Sequence, residues 1–308
     1  MAKRLIVCKS GTRCGCIQVS WWFYLAWKET NVLGRLMANE AVCSTLGEGT
    51  ASLVVMSVHR TPLSLQLPEY GEVHVWGARV SEVQLSVSVL SQLLSKQELE
   101  TAARFVRSAD RERYWVAHGV LRTLLSNYIN IPPAGIEFAT GAFGKPDLAC
   151  AGVSSPLRFN LAHSGDVVLY AFSLQRQVGI DIEQIRAEID GMEIARSHFA
   201  PEEIEALCGM DEGERIGSFF RCWTRKEAYV KARGEGLSLP LDKFTVPVGG
   251  TECILIPWAE GNSAPPKVWT LFNLDVCPGY AAAVVIEGRA VRLNYRPWDN
   301  RLLPGGDR

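Results

Sequence analysis

Two carboxylates stand one residue apart in the apolar run VGIDIEQ, residues 178–184. Alternate residues of a β-strand face the same side, so Asp181 and Glu183 would share one face, opposite the apolar residues. Two like charges this close repel each other unless a cation or hydrogen-bond donors compensate them. Mg²⁺ is a natural compensator, because it takes oxygen ligands and keeps waters and substrate phosphates. The alternative is ordinary polar alternation on a strand that faces solvent.

A third carboxylate and a lysine occur in WTRKEAYVK, residues 223–231. Trp223, Glu227 and Lys231 lie at i, i+4 and i+8, and therefore on one stripe of a helix. The simpler interpretation is a glutamate–lysine pair on the surface, worth about 0.3–0.5 kcal/mol. The tryptophan on the same stripe favours partial burial instead, at a site where a metal ion and a phosphate meet.

Residues that could bind an anion come from the preceding part of the chain. Lys145, between Gly144 and Pro146, lies in a turn where backbone N–H groups and an ammonium could converge on an anion. The spacing is not that of a P-loop, because no Ser or Thr follows the lysine and no helix opens there. His163 lies at a turn between two expected strands, where a lone histidine is more often structural than catalytic. No G-x-S-x-G elbow occurs, which argues against nucleophilic catalysis by serine.

These residues must be positioned by strands and helices that begin at about residue 72. The expected strands are 72–80, the start of 135–148, two within 157–173, and then 177–185, 239–246, 252–257, 268–275 and 280–288. The expected helices are 95–129, broken near 108–110, and then 200–209 and 214–234. The pattern is that of an α+β fold.

Residues 113–148 resemble residues 221–244, because each stretch has a helix ending in a basic residue, a glycine-rich turn, a proline and a strand. Such an echo predicts two similar halves with a cleft between them, although composition alone can mimic it. The expected organisation is an N-terminal extension outside the fold, two halves and a tail that frays, at residues 1–71, 72–176, 177–296 and 297–308.

Composition limits the function classes and the compartment. The 308 residues carry a net charge of −1, which argues against a nucleic-acid-binding protein. The nine cysteines form no C-x-x-C pair and are typical of reduced thiols, which predicts a cytoplasmic protein. No stretch approaches the about 20 apolar residues that span a membrane, so no membrane partner is expected.

The first 55 residues differ from the rest and allow two hypotheses. They lie upstream of the true start, which would be Met56, or they form an amphipathic or membrane-surface extension. A signal peptide is rejected, because Lys9 and Arg13 interrupt the early part of the chain and no cleavage site follows closely.

Six motifs in order resemble those of the 4′-phosphopantetheinyl transferases of the Sfp type, in the holo-carrier-protein synthase superfamily. They are GKP (144–146), FNLAHSG (159–165), VGIDIE (178–183), HFAPEEIEAL (198–207), WTRKEAYVK (223–231) and GEGLSLPLDKF (234–244). The resemblance covers roughly residues 72–290. It implies two pseudo-symmetric halves with the active site in the cleft between them. It also implies transfer of the phosphopantetheine arm of coenzyme A to a serine of an apo acyl or peptidyl carrier protein, with release of 3′,5′-ADP.

The resemblance also implies a role for each matched residue. Asp181, Glu183 and Glu227 would hold Mg²⁺ on the diphosphate of coenzyme A, which Lys231 would contact. Glu227, or a metal-bound water that it orients, would be the general base for the carrier serine. Glu203, which matches the acid of an F-x-x-x-E stretch, is the other candidate for a catalytic carboxylate. The residues that would bind coenzyme A are Arg113, Lys145, Pro146, His163, Asp181 and Lys231, with His163 near the 3′-phosphate.

The chain departs from the family pattern at two places. Lysines that the family often carries are replaced here by Glu98, Glu100 and Thr101. The 3′-phosphate would then be bound by an arginine of the set Arg104, Arg107 and Arg113. Ala162 replaces a frequent serine and removes one hydroxyl donor.

Two other functions could use the same residues. The chain could be another Mg²⁺-dependent phosphotransferase, or a non-catalytic relative that binds carrier proteins. For the transferase, a monomer is expected, and carrier proteins of fatty acid, polyketide, nonribosomal peptide or glycolipid biosynthesis are all possible substrates.

Overall fold

The structure is a computed structural model that describes residues 65–149, 155–250, 254–258, 267–289 and 292–303. The predictions made for residues 1–64, including both hypotheses for the first 55, lie outside the described residues. Among the helices that the structure describes, none has both the length and the apolar composition needed to cross a membrane.

The first half begins with a strand and ends with two antiparallel strands. Its elements are β1 (Glu72–Arg79), α1 (Val87–Leu93), α2 (Lys96–Ala103), α3 (Ser108–Ile129), β2 (Phe138–Thr140), β3 (Pro146–Leu148), β4 (Leu157–Ser164) and β5 (Val167–Leu174). The predicted break near residues 108–110 is confirmed, because the helical pattern of 95–129 forms two separate helices. Ser95 and Glu98 form a capping box that starts α2.

The second half repeats this order of elements. It contains β6 (Val178–Gln184), α4 (Gly191–His198), α5 (Pro201–Cys208), α6 (Glu212–Arg233), β7 (Ile254–Trp258), β8 (Lys267–Asn273) and β9 (Tyr280–Glu287), and a final strand, β10 (Arg292–Pro297), follows it. In each half a strand is followed by two short helices and then by a helix of 22 residues. Both long helices end at a residue in the left-handed conformation, Asn130 and Gly234, which is a common way to stop a helix.

The sheets show the same symmetry. Their strand orders are β10-β1-β5-β4 and β6-β9-β8-β7, beside a small β2-β3 pair. The first strand of each half pairs antiparallel with a later strand of that half, β5 or β9, which pairs in turn with the strand before it. The predicted α+β fold with two pseudo-symmetric halves is confirmed. The last strand, β10, pairs in parallel with β1 and so extends the sheet of the first half.

The core is built in four layers. Alternate residues of β5 point to opposite faces of its sheet, which explains why VVLYAF is apolar throughout. Val168, Tyr170 and Phe172 pack against α3. Leu169 faces the other way and packs against Ile180 and Val284 of the second sheet. Helix α6 covers the other face of the second sheet, against β6 and β9. The edge strands β4 and β6 lie against each other where the two halves meet.

Several elements differ from the predictions. Residues 239–246, predicted as a strand, contain only a 3₁₀ turn at Leu241–Lys243. The buried ammonium of Lys226 accounts for part of this difference, because it binds the carbonyls of Leu241 and Phe244, at 2.7 and 2.6 Å. A side chain thus satisfies carbonyls that a neighbouring strand would otherwise bind. The elements α1, α4 and β10 have no counterpart in the predictions.

Glu98 of α2 holds this helix to α3. Its buried carboxylate accepts a hydrogen bond from Arg122 Nε at 2.7 Å and lies 3.1 Å from His118 Nδ1. Burial by itself raises the pKa of Glu98. The His118 hydrogen bond and charge, the Arg122 charge and the Ser95 N–H outweigh that effect and lower the pKa from 4.5 to about 2.

We expect Glu98 to account for much of the acid sensitivity of the fold. The pKa of Glu98 is lower in the folded state than in the unfolded state. Its contribution to the free energy of unfolding is therefore fully present above about pH 4.5 and is lost as the pH falls toward about 2. The Glu98→Gln variant should lose about 3 kcal/mol of unfolding free energy at neutral pH, and the two proteins should converge in acid. Urea unfolding measured across this pH range checks the prediction, with the exposed neighbour Glu100→Gln as control. Parallel curves for Glu98→Gln and the unsubstituted protein would contradict it.

Candidate active site

The acidic face of β6 lies against a helix. Gly179, Asp181 and Glu183 alternate along the strand on the side that α6 covers. A Cβ atom at Gly179 would lie 2.2 Å from Ala228 O and from Ala232 N, so only glycine allows the helix to approach this closely. The two carboxylates therefore lie between a strand and a helix, and the solvent-facing alternative does not hold.

The carboxylate of Asp181 is completely buried. Its Oδ1 accepts a hydrogen bond from Lys231 Nζ at 2.6 Å. Its Oδ2 is buried and has no hydrogen-bond partner among the residues that the structure describes. Burial raises the pKa of Asp181, and the charge and hydrogen bond of Lys231 and the Ile182 N–H offset part of that effect. A buried carboxylate oxygen in this state can accept a further cation or donor.

The ammonium of Lys231 lies within electrostatic reach of all three predicted metal ligands. Burial by itself lowers its pKa, but the charges of Asp181, Glu227 and Glu183 outweigh burial and raise the pKa above 10.5. Glu183 and Glu227 are both buried. The side chain of Lys231 is 22% exposed, so part of it faces solvent. The fold thus gathers around one lysine the acids that the sequence places on two separate elements.

No ready-made metal cage accompanies these acids. Within the described ranges, no three side chains of His, Cys, Asp or Glu are grouped closely enough to hold a metal ion. In the structure, Lys231 provides the positive charge nearest to Asp181. The role of Asp181, Glu183 and Glu227 as metal ligands therefore stays a prediction.

His163 lies within electrostatic reach of cations from both halves, Arg113 and Lys231. It is buried, and burial lowers its pKa to about 3, with further lowering by the charges of Arg113, Lys231 and His118. The imidazole is therefore neutral at physiological pH. Arg113 donates from Nε to Gly165 O at 2.9 Å and lies 3.0 Å from Asp110. The predicted nucleotide-binding residues Arg113 and His163 thus lie close to the acid cluster.

Lys145 joins the first half to the second. Its Nζ donates to Val178 O at 2.9 Å, to Gln177 Oε1 at 3.2 Å and to Ala232 O at 3.3 Å. Burial lowers its pKa to about 8. Pro146, the first residue of β3, follows it. These three contacts join Lys145 to β6 and to the end of α6. Binding of coenzyme A by Lys145 and Pro146 stays a prediction.

Glu203 lies in a different network. The carboxylate is 2% exposed and receives three donors: Val246 N at 2.7 Å, Ala200 N at 2.9 Å and Lys226 Nζ at 2.8 Å. None of these contacts connects it to Asp181, Glu183 or Glu227, the three residues called here the acid cluster. The structure therefore gives Glu203 the surroundings of a buried structural anion, and its catalytic role stays a prediction.

Sequence reasoning missed two buried cations and two polar side chains at the junction of the halves. The cations are Arg225, which binds the carbonyls of Pro247, Gly249 and Gly250, and Lys226. A signal for Lys226 was available, because it lies on one helical stripe with Trp223 and Val230. Asn160 and Ser164 bind β6 from β4, and no local pattern marks this contact.

Comparison with known proteins gives matches along both halves. A family described as "4′-phosphopantetheinyl transferase, N-terminal" matches residues 75–175, and the "4′-phosphopantetheinyl transferase superfamily" matches residues 177–284. The boundary between the two matches falls between β5 and β6, where the structure passes from one half to the other.

Individual relatives carry the same description. The chain is 34% identical over 217 residues to the 4′-phosphopantetheinyl transferase HetI of Nostoc sp., covering 70% of this chain and 88% of that protein. It is 32% identical over 191 residues to the 4′-phosphopantetheinyl transferase Sfp of Bacillus subtilis, covering 62% of this chain and 81% of that protein. It is also 32% identical over 160 residues to the L-aminoadipate-semialdehyde dehydrogenase-phosphopantetheinyl transferase of Pongo abelii, covering 49% and 52%.

Proposed function

Because the chain belongs to the 4′-phosphopantetheinyl transferase superfamily, we propose that the acids and cations where its halves meet bind coenzyme A and a divalent metal ion. As a transferase of this family, the enzyme moves the 4′-phosphopantetheine arm of coenzyme A to a carrier protein. The single observation that supports this location is the buried carboxylate of Asp181. One of its oxygens has no hydrogen-bond partner in the described residues, and the other binds a lysine whose pKa the charges of three acids raise.

The donor atoms of these residues are of the type that Mg²⁺ takes, although the three carboxylates do not form a preassembled metal site in the described residues. Asp181 has a buried oxygen without a hydrogen-bond partner in the described part of the chain, and Glu183 and Glu227 supply further carboxylate oxygens. Oxygen donors of this kind suit Mg²⁺, which also retains substrate phosphate ligands. We propose that these three acids hold it. When bound, the ion would neutralise charge that develops on the phosphate oxygens.

The side chains of the protein supply the other functions. Lys231 donates to the diphosphate of coenzyme A, since its side chain is partly exposed and its ammonium lies next to Asp181. Arg113 and the neutral His163 bind the nucleotide portion, with His163 near the 3′-phosphate. Glu227 accepts the proton of the carrier serine while the hydroxyl oxygen of that serine forms a bond to the phosphorus of the arm. The bond from that phosphorus to the leaving oxygen breaks, and 3′,5′-ADP departs with the electron pair.

We propose a structural role for two of the other predicted site residues. Glu203 positions the start of α5 and the segment that ends at Val246, through its backbone donors and Lys226. Lys145 holds β6 and the end of α6 against the first half while it contributes positive charge toward coenzyme A.

We also propose that the enzyme acts as a monomer in the cytoplasm. Its carriers would belong to fatty acid, polyketide or nonribosomal peptide biosynthesis. The nine cysteines without a C-x-x-C pair support a reducing compartment, and the net charge of −1 argues against a nucleic-acid partner.

Intact-mass spectrometry of a panel of apo acyl and peptidyl carrier proteins tests the proposal. With enzyme, coenzyme A and Mg²⁺, we expect a carrier to gain the mass of the phosphopantetheine arm, with an equal amount of 3′,5′-ADP released. EDTA should stop the reaction and added Mg²⁺ should restore it. A carrier whose acceptor serine is replaced by alanine is the control. Loading that is unaffected by EDTA would overturn the metal assignment, and failure to load any carrier would overturn the proposed function.

A further inference from the structure

Two side chains of the edge strand β4 take the place of a backbone ladder against β6. Asn160 Oδ1 accepts a hydrogen bond from Ile180 N at 2.9 Å, and Ser164 Oγ accepts one from Gln184 N at 3.0 Å. The two acceptors are four residues apart, and so are the two donors. The two strands therefore run in the same direction with a constant register between them. These contacts set the register between the two halves of the enzyme.

Ser164 makes a second contact across the same junction. Its hydroxyl lies 2.8 Å from Glu183 Oε2, and both side chains are 4% exposed. A serine hydroxyl has one proton to donate. Because the Gln184 N–H already points at the oxygen of Ser164, the hydroxyl proton is directed to the carboxylate. A hydrogen bond to a carboxylate is stronger than one between neutral groups, and it orients the acceptor.

We infer that Ser164 is a positioning residue that holds the carboxylate of Glu183 for the metal ion. The inference rests on the proposed function, in which Glu183 is a metal ligand. Groups that hydrogen-bond to metal ligands orient them, and their removal typically weakens metal binding by about 10- to 100-fold. The first half thereby orients an acid of the second half, and this orientation exists only while β4 lies against β6.

The test measures metal binding directly, with Mn²⁺ as an electron paramagnetic resonance probe in place of Mg²⁺ and with coenzyme A present. The Ser164→Ala variant should bind Mn²⁺ about 10- to 100-fold more weakly than the unsubstituted enzyme. Its apparent KM for Mg²⁺ should rise by a similar factor, while kcat at saturating Mg²⁺ is retained. Ser164→Thr, which keeps a hydroxyl, should recover most of the affinity.

Ser173→Ala is the matched control. Ser173 is a buried serine on β5 of the same sheet, and its hydroxyl binds Arg176 O at 2.6 Å rather than a carboxylate. The Ser173→Ala variant should bind Mn²⁺ with the same affinity as the unsubstituted enzyme. If Ser164→Ala does not fold, Ser164→Cys takes its place, since a thiol is of similar size and a weak donor.

The outcomes separate this inference from the proposed function. An unchanged Mn²⁺ affinity in folded Ser164→Ala, with the unsubstituted enzyme binding Mn²⁺ and loading carriers, would overturn the positioning role alone. If the unsubstituted enzyme neither binds Mn²⁺ nor loads any carrier, the proposed function itself fails. A loss of affinity equal to that of Ser173→Ala would indicate general loosening of the sheet and would also overturn the positioning role.

Discussion

Replacing Asp181 by asparagine is expected to lower kcat/KM for carrier loading by about 10³-fold, the upper range for removing one group that stabilises charge in a transition state. The amide has the size of the carboxylate, so the packing of β6 against α6 should persist. The negative charge that would bind the metal ion is lost, and Lys231 keeps only a neutral acceptor in place of its anionic partner. Raising the Mg²⁺ concentration should not restore the rate, because a neutral amide is a poor ligand for a hard cation.

Steady-state loading measured by mass spectrometry checks this expectation. A matched control is Glu205→Gln, which replaces an exposed carboxylate on α5 and should retain full activity. Thermal unfolding of both variants separates a catalytic loss from a loss of folded protein. Full activity in folded Asp181→Asn would remove Asp181 from the metal site and with it the main support for the location of that site.

Replacing Glu203 by glutamine is expected to lower the free energy of unfolding by about 4 kcal/mol, as for other buried ion pairs that lose one partner. Three donors point at the carboxylate, namely Val246 N, Ala200 N and Lys226 Nζ. A glutamine amide has only one acceptor atom, so its NH₂ group would face at least one of these donors. The variant also leaves the ammonium of Lys226, whose side chain is 0% exposed, without its counter-charge.

Urea unfolding of Glu203→Gln measures this effect, and its exposed neighbour Glu202→Gln is the control. Below the unfolding transition, the folded variant should retain its kcat, because Glu203 has no described contact with the acid cluster. A large loss of kcat at unchanged stability would contradict the structural role and would support the catalytic role that the sequence predicts for this residue.

The two variants therefore distinguish two kinds of buried acid in one half of the enzyme. Asp181 has one oxygen without a hydrogen-bond partner in the described residues, and its partner lysine is partly open to solvent. Both oxygens of Glu203 receive donors of the protein. The first arrangement can bind a further group, whereas the second is already complete.

The sequence alone determined those features that depend on residues close together in the chain. The period of two placed Asp181 and Glu183 on one face of β6, opposite the apolar residues that enter the core. The spacing of four placed Glu227 and Lys231 on one stripe of α6. Local conformation also ends each long helix at Asn130 and Gly234. The order of six short motifs was enough to indicate the family.

Only the tertiary structure decided what lies opposite each of these faces. The acidic side of β6 faces α6 rather than water, because Gly179 lets the helix approach. Glu203 binds Lys226, and Ser164 binds Glu183 across the junction of the halves. The physical reason is that a local pattern determines the side on which a residue lies. The partner on that side comes from a distant part of the chain, and only the folded packing brings the two together.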